Sequence, residues 1–409
     1  MKKTGLLGVI STLTLILLNT CISFAAGNAG SPPPDDNING TQYIEGDWDI
    51  IETEIYTDEI IILNGNLSIK NGGALILNNV ILKFDGKHTM TVEEGGLLDS
   101  TNSTITVNSS SDNFNFRIEG KVNIKDTEIS YTSFGVEILS TNDVLIDSST
   151  IKNNKYAGIY IKSSSPKIVD TTITNNDYGI YIDNSSPLLD GNLIKNNYYG
   201  IYSIRSVLTI INNRIESNER YGIYCSKESS ITIENSTLGG KQQDISLAES
   251  HATLINSQFE FAPQDIINAS DITVLWYLHI SVKDNKQKPI SGAYVLVKDR
   301  NKQEIFNGTS RTDGMVKWIL CKYMRISRDI TFYTPHHIYV QKDGFNEFTA
   351  EIYMDKTKTE NVVLTSKYVP EDDDKKGEKI DWQSLLLIFI FIFIVISLIV
   401  YKYFSKKRR

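Results

Sequence analysis

Cysteine is almost missing from this chain, with three in 409 residues. Cys21 lies in an apolar leader, so only Cys225 and Cys321 remain, too few for a disulfide framework. An excess of positive charge is also missing. Lys and Arg number 41 against 49 Asp and Glu, a net charge of -8, which excludes a basic nucleic-acid surface. Histidines are few, and His88 and His251 stand far apart in the central region, so no His-centred site is legible there. Long runs at the helical period are absent between Ile44 and Ile272, which excludes helical repeats. Leucines at the fixed short spacings of a leucine-rich repeat are absent too.

What the chain has instead is a repeated tetrapeptide. Y-G-I-Y begins at Tyr178, Tyr199 and Tyr221, with the variant A-G-I-Y at Ala157. The glycines Gly158, Gly179, Gly200 and Gly222 stand 21, 21 and 22 residues apart. A second column places large apolar residues at Ile81, Ile105, Ile129, Ile151, Ile173, Ile194, Ile215, Leu238 and Phe259. A period near 22 is the length of one short supersecondary unit, so the repeat decides the fold.

Each unit reads as three short strands and three turns. Gly179 to Ile182 alternates with period 2, Asn184 to Pro187 is a turn cluster, and Leu188-Leu189 and Leu193-Ile194 follow. This describes one coil of a right-handed parallel β-helix, whose stacked coils bury a core that no single unit could bury. Near the start, Asn71-Gly72-Gly73 and Glu94-Gly95-Gly96 mark equivalent turns. The expected β-helix spans 43-272 in about ten coils, a rod of roughly 45–50 Å. The N-x-x-Y-G-I-Y units and the Asn and Ile columns resemble the NosD-like β-helix family of carbohydrate-binding proteins and sugar hydrolases. That resemblance implies fold more than activity, because such repeats serve binding, scaffolding and catalysis alike.

The ends give an address. Lys2-Lys3, the apolar stretch Leu6 to Leu18 and the small residues before Gly27 read as a signal peptide over 1-27, followed by a leader over 28-42. Leu385 to Tyr401 carries no charge and is long enough to span a bilayer, so a transmembrane helix is expected over 382-404. Lys406, Lys407, Arg408 and Arg409 follow in a basic tail, 405-409. By the positive-inside rule that tail is cytoplasmic and the rest is outside.

Past the repeat, Lys288 to Val295, Thr312-Asp313-Gly314 and Lys342-Asp343-Gly344-Phe345 look like the carboxypeptidase-regulatory-like sandwich, expected over 273-365. An acidic stalk, 366-381, leads from it to the membrane. His336 and His337 suggest a metal, but neighbours in a strand point to opposite faces.

Three sets of residues carry the functional expectations. Alternation sends Ile159, Ile161, Ile180 and Ile182 inward and Tyr160, Tyr181, Tyr202 and Tyr224 outward, as a ladder with Glu137 below and Ser246 above. Tyrosine rings suit sugar faces, and equally stabilise a sheet by themselves. Asp126, Asp147, Asp170 and Asp190 gather near one turn edge, where clustered carboxylates suit calcium. Asn153-Asn154, Asn175-Asn176, Asn196-Asn197 and Asn218 mark a turn where stacked side chains satisfy backbone groups. The expected protein is a membrane-anchored extracellular module that binds glycans or cell-envelope proteins. The alternative is a tethered polysaccharide lyase, hydrolase or epimerase. Coils that stay at 21–24 residues favour the first, since they leave no long loops to wall a groove.

Overall fold

A computed structural model describes residues 40–367 apart from 261–265, 268 and 328, together with 386, 390 and 396. Three parallel sheets wind around one apolar core. The first sheet has ten strands, from Thr41–Glu45 to Thr237–Gly240. The second has eleven, from Trp48–Ile50 to Ile266–Ile267. The third begins at Thr53–Thr57 and takes one strand from each coil down to His251–Ile255. Each strand pairs in parallel with its equivalent one coil away, as in Ile173 with Ile194 and Ile194 with Ile215. This is a right-handed parallel β-helix of about ten coils.

The alternation of the sequence becomes burial. Ile151, Ile173, Ile194 and Ile215 are fully buried, as are Ile159, Ile161, Ile180 and Ile182. Cys225 occupies the core position between Ser203 and Leu247, and burial pushes its thiol up to about 12. One position of the expected column is corrected. Ile105 pairs with Leu82, not Ile81, so Leu82 is the fully buried residue and Ile81 faces outward. Two adjacent apolar residues fit the repeat equally well in sequence, and only the strand register chooses between them.

The turns are held by side chains stacked coil on coil. At the corner between the first and second sheets, Asn176 Oδ1 accepts from the Asn154 backbone N–H at 2.9 Å. Asn197 does so from Asn176 at 3.0 Å, and Asn218 from Asn197 at 3.0 Å. The preceding residues Asn153, Asn175 and Asn196 take left-handed φ of 55°, 58° and 55°, which Asn tolerates better than most residues. The other two corners carry ladders of their own. Ser149, Thr171, Asn192, Asn213 and Ser236 each accept the backbone N–H of their counterpart one coil earlier. Ser185, Ser206 and Ser229 do the same at the third corner. The backbone donors of these corners are thus paired coil on coil.

The rod does not end at a linker. Strand Asp271–Asp284 pairs in parallel with His251–Ile255 over its first residues and in antiparallel with Met315–Ile326. Its far half pairs in parallel with Lys358–Leu364. The third sheet therefore runs on unbroken to 14 strands, and the expected junction at 272/273 falls inside one strand. A separate four-stranded antiparallel sheet of 304–309, 294–298, 336–341 and 348–352 packs on this extension, with Phe306 and Trp318 rings 4.7 Å apart. The Tyr277 hydroxyl donates to Glu234, and Thr357 Oγ1 donates to Asn256 Oδ1 at 2.8 Å, tying these strands to the last coils.

The expected membrane segment lies outside the described residues, except for Leu386, Ile390 and Ile396, which are helical. Among the described residues no helix is long and apolar enough to cross a membrane. The signal peptide and most of the leader and stalk also lie outside them.

Candidate functional site

The outer face of the second sheet is aromatic. Its strands Ala157–Lys162, Tyr178–Asp183, Tyr199–Ile204 and Tyr221–Ser226 put Tyr160, Tyr181, Tyr202 and Tyr224 in register. Their ring centroids are 5.2, 5.2 and 4.8 Å apart, with interplanar angles of 18°, 17° and 19°. Glu137 pairs below the column and Ser246 above it. The four rings are half-buried by one another.

A second column lies beside the first, at the opening tyrosines of Y-G-I-Y, whose direction depends on the corner. Tyr178, Tyr199 and Tyr221 also face outward, with Tyr178 and Tyr199 stacked at 5.0 Å and 4°. This column meets the first edge-on. Tyr178 lies 5.3 Å from Tyr181 at 87° and 5.3 Å from Tyr202 at 76°. Three further aromatics join it, Tyr156, Tyr198 and Phe134. Tyr156 was overlooked because the repeat has Ala157 at the Tyr position of that coil. The signal was one residue away, since the Tyr156 ring fills the place that Ala157 leaves, 5.0 Å from Tyr178 and 5.9 Å from Tyr181. Arg220 was overlooked as well. Its Nη1 donates to Tyr199 Oη at 2.6 Å, and its guanidinium lies over the Tyr221 ring at 5.0 Å.

The packing of this face shows in its acid–base chemistry. Burial, with neighbouring rings and Asp183 adding to it, holds the Tyr181 hydroxyl above the usual phenol range. Burial does the same for Tyr160, Tyr178 and Tyr202. Burial also raises the Glu137 carboxyl, which Arg117 in the next strand partly offsets.

The four aspartates are near one edge but do not form one column. Asp126 and Asp170 sit at the left-handed corner, φ 47° and 46°, which Asn212, Asn235 and Asn256 occupy in later coils. Asp147 and Asp190 stand one residue earlier, at strand ends. Asp170 faces both of those across the coil steps, and burial plus their charges raise its carboxyl. Ser148 donates to Asp147 at 2.8 Å and Asn212 to Asp190 at 3.0 Å. His336 is fully buried with both ring nitrogens unpartnered, while His337 lies 3.1 Å from Glu351, so the pair splits between two faces.

Stacked coils, three parallel sheets and three corner ladders define this chain as a right-handed parallel β-helix protein. Residues 65–207 match the family described as right handed beta helix region, and residues 167–261 match the family described as periplasmic copper-binding protein (NosD). No curated protein matches the chain. Among solved structures, the Bacillus anthracis TIE protein is 16% identical over 27% of this chain and 20% of its own, with a TM-score of 0.20. A periplasmic alginate epimerase, AlgG, is 14% identical over 50% of this chain and 63% of its own, with a TM-score of 0.36. PfbA, a surface adhesin of Streptococcus pneumoniae, is 10% identical over 77% of this chain and 91% of its own, with a TM-score of 0.19. This chain thus spans less than two thirds of the first two. The residues present do not fit a copper centre. Cys225 is sealed in the core, and among the described residues no group of three His, Cys, Asp or Glu is placed to hold a metal ion.

Proposed function

We propose that this protein is a cell-envelope binding module, a rigid rod that presents the tyrosine face of its second sheet to glycans. The observation that supports this reading most is the continuous outward aromatic surface from Phe134 to Tyr224. It is polar at its hydroxyls and apolar at its rings, the combination that suits a sugar chain. Coils of 21–24 residues raise no walls beside it, so an extended polymer has access along the rod. The expected signal peptide of 1-27 and the apolar run Leu385 to Tyr401 support an extracellular module held by one C-terminal helix. The strands after Asp271 serve in this reading as a sandwich-like spacer above the acidic stalk of 366-381.

The experiment is binding of the purified full-length chain to a panel of immobilised glycans, repeated with Tyr181→Ala/Tyr202→Ala. Binding that the double variant loses while keeping its thermal midpoint supports the proposal. A folded wild type that binds nothing on the panel, or a double variant that binds as the wild type does, rejects it.

A further inference from the structure

We propose that the tyrosine face takes a neutral, extended, polyhydroxylated chain lying parallel to the solenoid axis, held through a row of phenol hydroxyls and not through ring faces. This rests on the glycan reading above and specifies its chemistry.

Two six-membered rings 5.2 Å apart cannot lie side by side in one plane, because their edges would collide. Nearly parallel rings at that distance must overlap face to face with an offset. Tyr181 therefore covers a face of Tyr160 and of Tyr202, and Tyr202 covers a face of Tyr224. Both faces of Tyr181 and Tyr202 are occupied along the column. Their flanks meet Tyr178 and Tyr199 edge-on. No central ring has a face left for a sugar to lie on. What the column offers outward is ring edges and hydroxyls.

Those hydroxyls are available. Tyr199 Oη is engaged by Arg220, but Tyr160, Tyr181, Tyr202 and Tyr224 have no hydrogen-bond partner among the described residues. Phenols are protonated at neutral pH, and burial only raises those of Tyr160, Tyr181 and Tyr202 further, so each can donate and accept at once. The row repeats at the strand spacing of roughly 4.8 Å, so a chain lying along it meets one hydroxyl per coil.

Charge around the column disfavours a polyanion. Glu137 lies at its lower end and Asp183 beside it. The nearby guanidinium groups are engaged, Arg117 by Glu119 at 3.3 Å, Arg205 by Asp183 at 2.5 Å and Arg220 by Tyr199. A neutral chain carries no charge for Glu137 and Asp183 to repel.

The test uses the full chain with Tyr181→Phe/Tyr202→Phe, which keeps both rings and removes only the hydroxyls. The probes are cellohexaose, cellobiose and an oligoalginate of six residues, read by calorimetric titration. The expected result is binding of the neutral hexamer, at least ten-fold weaker binding of the dimer, and no preference for the anionic oligomer. The Phe double variant should bind the hexamer about ten-fold more weakly with an unchanged thermal midpoint. A Phe variant that binds like the wild type, while Tyr181→Ala/Tyr202→Ala loses binding, overturns the hydroxyl row and leaves the glycan reading standing. Preference for the anionic oligomer, or failure of the neutral hexamer when other panel glycans bind, overturns the ligand class. No binding to any glycan overturns the glycan reading itself.

Discussion

Gly200 and Asn218 share one volume: a Cβ on Gly200 would stand 2.8 Å from Asn218 Nδ2 and 2.4 Å from the Gly222 carbonyl oxygen. The glycine of Y-G-I-Y is there because the carbonyl of the next coil, together with the asparagine ladder and the core isoleucine, fills the space that a side chain would need. Asn218 uses that position to donate from Nδ2 to the Ile194 carbonyl at 3.1 Å while its Oδ1 accepts from Asn197. The glycine column and the asparagine column of the repeat are two halves of one packing solution.

Gly200→Ala should therefore destabilise the rod by about 1–3 kcal/mol, the range for overpacking a filled interior. The φ of Gly200 is not left-handed, so the cost is contact and not backbone conformation. Chemical denaturation checks this, and an unchanged midpoint would show that the ladder yields without cost.

Leu82→Ala and Ile81→Ala test the strand register. Leu82 is fully buried, so its truncation should cost about 2–5 kcal/mol. Ile81 faces outward, and its truncation should cost about 1 kcal/mol or less. A larger loss at Ile81 would place the chain in the other register.

Asp170 gives a pH prediction. Its carboxyl is raised in the folded protein, so the fold favours the protonated form. Its contribution is present at low pH and is lost as pH rises through the folded value. Asp170→Asn should then be slightly more stable than the wild type at pH 7, by about 0.5 kcal/mol or less. The gain should vanish below pH 4. The same two proteins decide the calcium expectation. Among the described residues the aspartates are not gathered into a three-ligand group, so calcium should leave both midpoints unchanged, and a calcium-dependent rise that only the wild type shows would revive the expectation.

His336 gives the opposite sign. Burial lowers its pKa to about 4, with His337 adding to this and Asp299 opposing it. The unfolded chain takes up the proton first, so stability falls as pH drops from about 6.5 to about 4. The loss is roughly 3 kcal/mol for a group this deeply buried. His336→Phe should flatten the wild-type slope over that range when the two proteins are compared in denaturant titrations. Parallel slopes would show that His336 is hydrated.

Much of this was legible because the repeat is regular. Ile173, Ile194 and Ile215 touch in space at one coil step, so a period near 22 in the sequence is already a list of long-range contacts. The outward Tyr160 column followed from the same alternation. The serine and threonine ladders were not legible, because Ser149, Thr171 and Ser236 look like ordinary turn residues until their hydroxyls are seen accepting from the neighbouring coil. The direction of Tyr178 was hidden because it lies next to the glycine and depends on the corner geometry.

By itself the sequence determined the parallel β-helix, its approximate coil count, most of its buried columns and the existence of a tyrosine ladder, since period-2 alternation inside a near-constant repeat puts like residues over one another. Only the tertiary structure decided which of Ile81 and Leu82 is core, that strand Asp271–Asp284 runs from the rod into the following sheets, and that the ladder's rings turn their faces to each other. These depend on register, strand continuation and ring tilt. Each is set by contacts between residues whose types permit more than one arrangement, and packing alone selects among them.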